Sequence, residues 1–504
     1  MFMDGDTNQI GSETIRPRSE QAVVETDIPD DVSYLEFHEG TLTLDRWNKS
    51  QIEQFFGNQI WKWDDRSRLW RTLANEYSHI QKTLRERIAD TPLAVIDCVP
   101  QWQSVVFSKD DTKPLRAEQQ QALESWHDHQ KGIVVMPTGT GKTEVALQAM
   151  KRSRCSTLII APIRDLMYQW HRRITQALGY DSGIIGDNTF HVKPISVTTY
   201  DSACIHMPKL GDRFQFLVFD ECHHLPGPIR ADAARMSIAT KRLGLTATLD
   251  RSTAKYDSLQ ELIGPVVYEL SIQEVRGKSL AEYDVFRIRV HLQPEERRRY
   301  DELATTVAMY VYERRQDDVS FQWQQLYSEA AEDSRANRIL IAHREKQAIE
   351  DRAAEKLRVI DDLLCLHHGT PIIIFAGSNR MAREVSMRFL IPCLLSHCGK
   401  KERLDYLDGL RDGVYPAIVA NQILDEGVDI PAAKIAIVIG GLASSRQSQQ
   451  RLGRILRKTG EERAILYEVV CQDTNEVLKS TKRRKNDAYS RTRHFKDNPP
   501  GDRA

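Results

Sequence analysis

Short apolar runs alternating with amphipathic stretches are the strongest signal in the chain. From Lys113 to about Val285, β-rich runs at Ile133–Met136, Thr157–Ala161, Ile195–Thr199 and Phe216–Phe219 are separated by segments of helical length. Strands that are apolar throughout are buried on both faces, which implies a parallel sheet covered by helices. The same rhythm returns after residue 370, at Ile372–Phe375, Ala417–Ala420 and Ile435–Ile439. The pattern predicts an α/β protein with two parallel-sheet lobes in tandem, over 113–285 and 353–477. Between them, 286–352 is highly charged and helix-favouring from Pro294 onward, so a helical insertion is expected there. Residues 32–112 read as a small mixed α/β domain, with a strand-like run at Thr41–Leu44. Residues 1–31 hold eight acids against two arginines and few large apolar groups, and are expected to be disordered. The tail 478–504 is basic, with five Lys/Arg between Lys479 and Lys485; DNA binding and plain solvation fit it equally.

Candidate chemistry begins where the first strand of lobe one ends. Met136-Pro137-Thr138-Gly139-Thr140-Gly141-Lys142-Thr143 follows an apolar strand and opens a helix-compatible run. It fits a phosphate loop except that Met136 replaces the first glycine. Gly139 and Gly141 would let backbone N–H groups close around phosphates at a helix N-terminus. Lys142 would reach the β- and γ-phosphates of ATP, and Thr143 would hold Mg²⁺. The strand Phe216–Phe219 ends in Asp220-Glu221-Cys222-His223-His224. An acid at the tip of a parallel strand lies at the sheet edge where such folds bind ligands. Asp220 would hold Mg²⁺ through water, and Glu221 would deprotonate the attacking water.

Composition narrows the class without naming a partner. Charged residues are 28% and hydrophobic residues 41%, ordinary for a globular protein. No apolar run approaches the ~18 residues needed to cross a bilayer, and no signal pattern opens the chain. Eight cysteines without a C-x-x-C pair fit reduced thiols, and the expected location is the cytoplasm. The net charge of −1 does not announce a nucleic-acid binder. Cys365, His367 and His368 with Cys393 or Cys398 could be drawn as a zinc site, but the spacing supports incidental thiols instead.

Further motifs resemble those of superfamily 2 helicases, in that superfamily's order. Arg116 and Gln119 stand where it places an adenine-reading glutamine. Arg164, and Thr198 with Thr199, resemble its strand-backbone contacts, while Thr246 and Thr248 of Leu245-Thr-Ala-Thr248 resemble the element coupling hydrolysis to strand binding. Gly427 and Asp429, in Leu424–Pro431, resemble motif V, and Gln450 with Arg454 and Arg457 resembles motif VI and its arginine fingers. The resemblance implies two RecA-like lobes binding ATP and Mg²⁺ between them.

Within the superfamily the chain resembles short archaeal and bacterial XPB-type helicases. Val197–Ala203, Asp220–Leu225, Arg242–Thr248, Ile263–Leu270 and Leu292-x-Pro-Glu-Glu-Arg297 carry that likeness, the last opening a thumb-like insertion. Trp63–Ala74 with Tyr77 resembles the end of the family's damage-recognition domain, although amphipathic helix packing also fits that segment. Trp61, Trp63 and Trp70 could stack bases or face a core. The resemblance implies 3′-to-5′ movement on duplex or forked DNA, a role in DNA repair, a nuclease partner and a prokaryotic, nucleoid-associated setting. One departure stands out. The family places an Arg-Glu-Asp wedge after Thr-Ala-Thr, whereas Arg251 is followed here by Ser252 and Thr253. An RNA helicase would use the same lobes, but Asp-Glu-Cys-His and Thr-Ala-Thr are not the signature of the main RNA-remodelling class. A non-catalytic scaffold should lack part of the constellation, and none is missing.

Overall fold

The computed structural model describes residues 32–57, 60–87, 93–249, 251, 253–271, 274, 283–395, 398–421, 433–440 and 464–484. Gly427, Asp429, Gln450, Arg454 and Arg457 lie outside them, as do the N-terminal 31 residues and the end of the tail.

The N-terminal domain is built on a sheet of order β3-β4-β2-β1-β5, formed by Val32–His38 (β1), Thr41–Leu44 (β2), Lys62–Asp64 (β3), Leu69–Leu73 (β4) and Ala94–Asp97 (β5). The tryptophan-rich segment is a hairpin rather than a helix. Asp64 accepts from the Arg66 backbone at 3.1 Å and Arg68 takes a left-handed φ of 55°, so the Asp-Asp-Arg-Ser-Arg run makes the turn. Trp63 and Trp70 are cross-strand partners on one face, their rings 5.4 Å apart; Trp70 is buried, while Trp63 on the edge strand β3 stays 46% exposed. Helix starts only at Tyr77.

Lobe one carries an eight-stranded sheet: Lys131–Val135 (β6), Thr157–Ala161 (β7), Gly183–Gly186 (β8), Thr189–Phe190 (β9), Ile195–Thr199 (β10), Phe216–Asp220 (β11), Lys241–Thr246 (β12) and Val266–Glu269 (β13). Its order is β13-β6-β12-β11-β7-β10-β8-β9, parallel except for the β8–β9 edge. The central strands are buried almost end to end, as their uniform apolarity requires. The segment before Lys113 also belongs to this lobe. Val105 is buried in the lobe-one core, its N–H donates to Arg154 O at 3.0 Å, and Asp111 N donates to Ala177 O at 2.9 Å.

Lobe two begins earlier than the sequence pattern suggests. Tyr283–Val290 (β14) pairs in parallel with Ala464–Cys471 (β19) over eight positions. With Ile372–Phe375 (β15), Cys393–Leu394 (β16), Ala417–Ala420 (β17) and Ile435–Val438 (β18) it forms a sheet of order β14-β19-β18-β15-β17-β16. The insertion therefore interrupts lobe two after its first strand instead of separating the lobes. Its helices span Pro294–Asp317, Gln325–Glu329 and Ser334–Asp351, around a small core that includes Leu303, Val307, Tyr310 and Leu340. Pro294 opens the first helix, and Gln293 and Glu296 cap it reciprocally. The tail's first turns are equally well anchored. In the helix Asn475–Arg484, Glu476 binds buried Lys356 at 2.7 Å, and buried Ser480 donates to Glu468 at 2.7 Å.

Candidate active site

The phosphate loop leaves β6 at the carboxyl edge of the lobe-one sheet and enters the helix Lys142–Ser153. Gly139 and Gly141 adopt φ of 85° and 84°, which L side chains rarely tolerate. Met136 is fully buried among lobe-one apolar groups, and its N–H donates to Thr246 O at 3.0 Å. Strand alternation thus aims this side chain into the core, where a glycine would leave a gap. Lys142 is 9% exposed, and its Nζ donates to Met136 O at 3.1 Å and stands 4.0 Å from Glu221. The lysine folds back over the hollow of its own loop.

Arg116 and Gln119 grip this loop. Gln119 accepts from the Arg116 N–H at 2.9 Å and donates to Thr140 O at 2.8 Å. The Arg116 guanidinium reaches the same carbonyl. Thr140 Oγ1 in turn donates to Pro137 O at 2.6 Å, whereas Thr138 Oγ1 is buried with no hydrogen-bond partner among the described residues.

Asp220 ends β11 beside the loop. Its carboxylate accepts from Trp170 Nε1 at 2.8 Å and from the Glu221 N–H at 3.1 Å. Burial, then the adjacent Glu221 charge, pushes Asp220 up to about 6. Glu221 takes a left-handed backbone, φ 46° and ψ 56°, of the kind that stores strain at functional sites. Among the described residues its buried Oε2 accepts no hydrogen bond, and the His223 ring nitrogen stands 3.5 Å away. A buried acceptor oxygen in that condition fits a water or a water-coordinated cation. Among the described residues no cluster of three or more acids, histidines or cysteines holds a metal. Mg²⁺ sites completed by substrate phosphates and water need no such cluster. The drawn zinc set is dispersed: His367 meets Tyr467 OH at 2.8 Å, and Cys398 Sγ lies 3.4 Å from Cys393 O.

The coupling element touches both halves of this site. Thr246 Oγ1 lies 3.0 Å from His223 Nδ1 and donates to Thr248 O at 3.0 Å. Arg164 opens the helix Arg164–Leu178 and pairs with Asp187 at 2.7 Å from an exposed position. Thr198 departs from expectation. Its side chain is 1% exposed and donates to Ile185 O at 2.7 Å, because β10 is buried along its whole length on both faces. Thr199 caps the helix Tyr200–Leu210 by accepting from Ser202 N at 3.3 Å, so this corner offers helix N–H groups rather than free hydroxyls. Two contacts carried no sequence signal: the Trp170–Asp220 bond, and Arg403 of lobe two reaching Asp165 of lobe one at 3.3 Å.

Comparisons agree in all three parts of the chain. Residues 35–91 match the Xeroderma pigmentosum group B helicase damage recognition domain, 112–251 the type III restriction enzyme res subunit, and 326–489 the ERCC3/RAD25/XPB C-terminal helicase. The chain is 38% identical over 428 residues to the DNA 3'-5' translocase XPB2 of Sulfurisphaera tokodaii, spanning 84% of this chain and 95% of that protein. It is 28% identical to the DNA 3'-5' helicase XPB of Kineococcus radiotolerans, over 73% of this chain and 61% of the relative. Saccharomyces cerevisiae Dbp5 bound to RNA and ADP BeF3 superposes with a TM-score of 0.50 at 15% identity, covering 74% of this chain and 88% of that one, a likeness of fold.

Proposed function

Because the chain belongs to the XPB/Rad25 family of superfamily 2 DNA helicases and translocases, we infer that it is an ATP-dependent motor moving 3′-to-5′ on DNA in DNA repair. The observation that supports the active-site reading best is the convergence of Lys142, Asp220 and Glu221 at one sheet edge, with a Glu221 oxygen that accepts no hydrogen bond among the described residues.

In this reading, Gly139, Thr140 and Gly141 close around the ATP phosphates, with Pro137 and Thr138 shaping the loop. Lys142 exchanges the Met136 carbonyl for the β- and γ-phosphates. Asp220 and Thr143 are the residues that would hold Mg²⁺, which neutralises charge on the transferring phosphoryl group when bound. Glu221 orients the attacking water and takes its proton on Oε2. Arg454 and Arg457 act as fingers from lobe two, and Gly427, Asp429 and Gln450 complete the nucleotide pocket there, so turnover requires the cleft to close. His223 and Thr246 pass the nucleotide state to Thr248. Arg164 and the Thr199 helix N-terminus meet the strand backbone, contacts that position DNA without reading sequence. Family membership also supports a nuclease partner, testable by co-purification with active-site variants.

The decisive test is Glu221→Gln. ATP affinity should be retained while steady-state turnover falls by roughly 10²–10⁴. A turnover within about threefold of wild type removes Glu221 from the role of base. Duplex DNA should stimulate the wild-type ATPase well above RNA at matched concentration, and equal stimulation by RNA overturns the substrate assignment.

A further inference from the structure

Trp170 lies midway along the helix Arg164–Leu178, 3% exposed, and nothing in its sequence context marks it. Its indole Nε1 donates to Asp220 Oδ2 at 2.8 Å, while the Glu221 amide donates to Oδ1 at 3.1 Å. Each carboxylate oxygen therefore has one fixed donor, and rotation about the Cβ–Cγ bond would break both bonds. An indole only donates and carries no charge, so it holds a carboxylate without competing with a cation for it, as Lys or Arg would. The same helix also reaches lobe two and the phosphate-loop helix. Asp165 meets Arg403 of lobe two at 3.3 Å, and Arg173 meets Glu144 of the phosphate-loop helix at 3.4 Å.

We propose that Trp170 is a positioning residue whose indole N–H sets the orientation in which Asp220 meets the magnesium-bound nucleotide. The proposal rests on the reading of Asp220 as the metal-site acid. A tryptophan whose hydrogen bond lies outside the site is available for comparison in the same lobe: Trp126 is fully buried, and its Nε1 donates to Arg242 O at 2.9 Å.

The experiment uses the full chain with Trp170→Phe, Trp126→Phe and Asp220→Asn. Affinity for a non-hydrolysable ATP analogue is measured calorimetrically in Mg²⁺ and in EDTA, alongside turnover across a Mg²⁺ titration. Trp170→Phe should leave the EDTA affinity unchanged and shrink the gain from Mg²⁺ roughly tenfold, equivalent to about 1.4 kcal/mol. The Mg²⁺ concentration for half-maximal turnover should rise by a similar factor. Trp126→Phe should lower Tm and move neither quantity. A folded Trp170→Phe with wild-type Mg²⁺ dependence overturns the proposal, as does an equal shift in Trp126→Phe. If Asp220→Asn keeps the full Mg²⁺ gain, the metal-site reading of Asp220 falls, and the inference falls with it. If Asp220→Asn loses the gain while Trp170→Phe keeps it, only the inference fails. Should Trp170→Phe not fold, Trp170→benzothienylalanine, with sulfur for N–H at nearly the same shape, takes its place under the same expectations.

Discussion

Gly141 shows how narrowly the phosphate loop is specified at the scale of one residue. Its φ of 84° disfavours any side chain, and an added Cβ would collide with the Gln119 amide that holds Thr140 O. Gly141→Ala should therefore loosen the grip of Gln119 as well as strain the loop, at roughly 1–3 kcal/mol for the backbone alone. ATP affinity should drop at least tenfold, read by isothermal titration, and a thermal scan should show Tm lowered by a few degrees; undiminished affinity would contradict the loop geometry. Lys142, Asp220 and Glu221 were legible in the sequence because phosphate and metal chemistry demands those residue types at strand tips. The burial of Thr198 is not legible, since a hydroxyl in a motif does not tell that β10 is covered on both faces. Trp170 was invisible because an apolar helix face gives no hint that one indole nitrogen meets a carboxylate.

At the scale of elements, most strands were readable from uniform apolarity, and the exceptions have physical causes. β14 ends in Arg287-Ile288-Arg289-Val290 and so lacks the uniform apolarity that marks the other strands, yet its Arg287 is buried against Glu468 and Ser480 of the same lobe. The Trp63–Trp70 segment has a turn of charged residues, which blurs period two into apparent helical spacing. The element after β12 bears on strand separation. Arg251 is held by Glu269 of β13, and Thr253 occupies the N-cap position of the helix Ala254–Leu262. Unwinding needs a rigid charged element at the fork to offset lost stacking, worth on average about 1.4 kcal/mol per base-pair step. We expect robust duplex-stimulated ATPase and displacement of a third strand, with weak unwinding of a forked duplex. Ser252→Glu/Thr253→Asp should improve fork unwinding several-fold, and the aspartate suits an N-cap. Efficient unwinding by the wild-type chain would defeat this expectation.

The whole molecule is tied together more closely than a string of domains. Residues 101–112 run along lobe one, with Gln101 N donating to Asp212 O at 3.1 Å and Ser156 N to Gln103 O at 2.9 Å. A chain starting at Lys113 should thus be less stable than one starting at Gln101, by at least about 5 °C in Tm given the lost Val105 burial and backbone pairing. Equal melting of the two truncations would place the boundary at 112 after all. The domain seam is likewise interior-like: Ile238 of lobe one, 1% exposed, sits inside the N-terminal domain's apolar core with Leu35, Leu42 and Trp70. Across the same seam Gly40 is backed tightly against Met236, and Gly211 against Phe37. A core shared in this way has a consequence for heat. Two bodies that cannot lose contact without exposing each other's interior should absorb the heat of melting as one cooperative unit. Scanning calorimetry of the full chain should show the N-terminal domain and lobe one in a single peak. Ile238→Asp, which places a carboxylate in that shared interior, should split the peak in two, the smaller domain melting first.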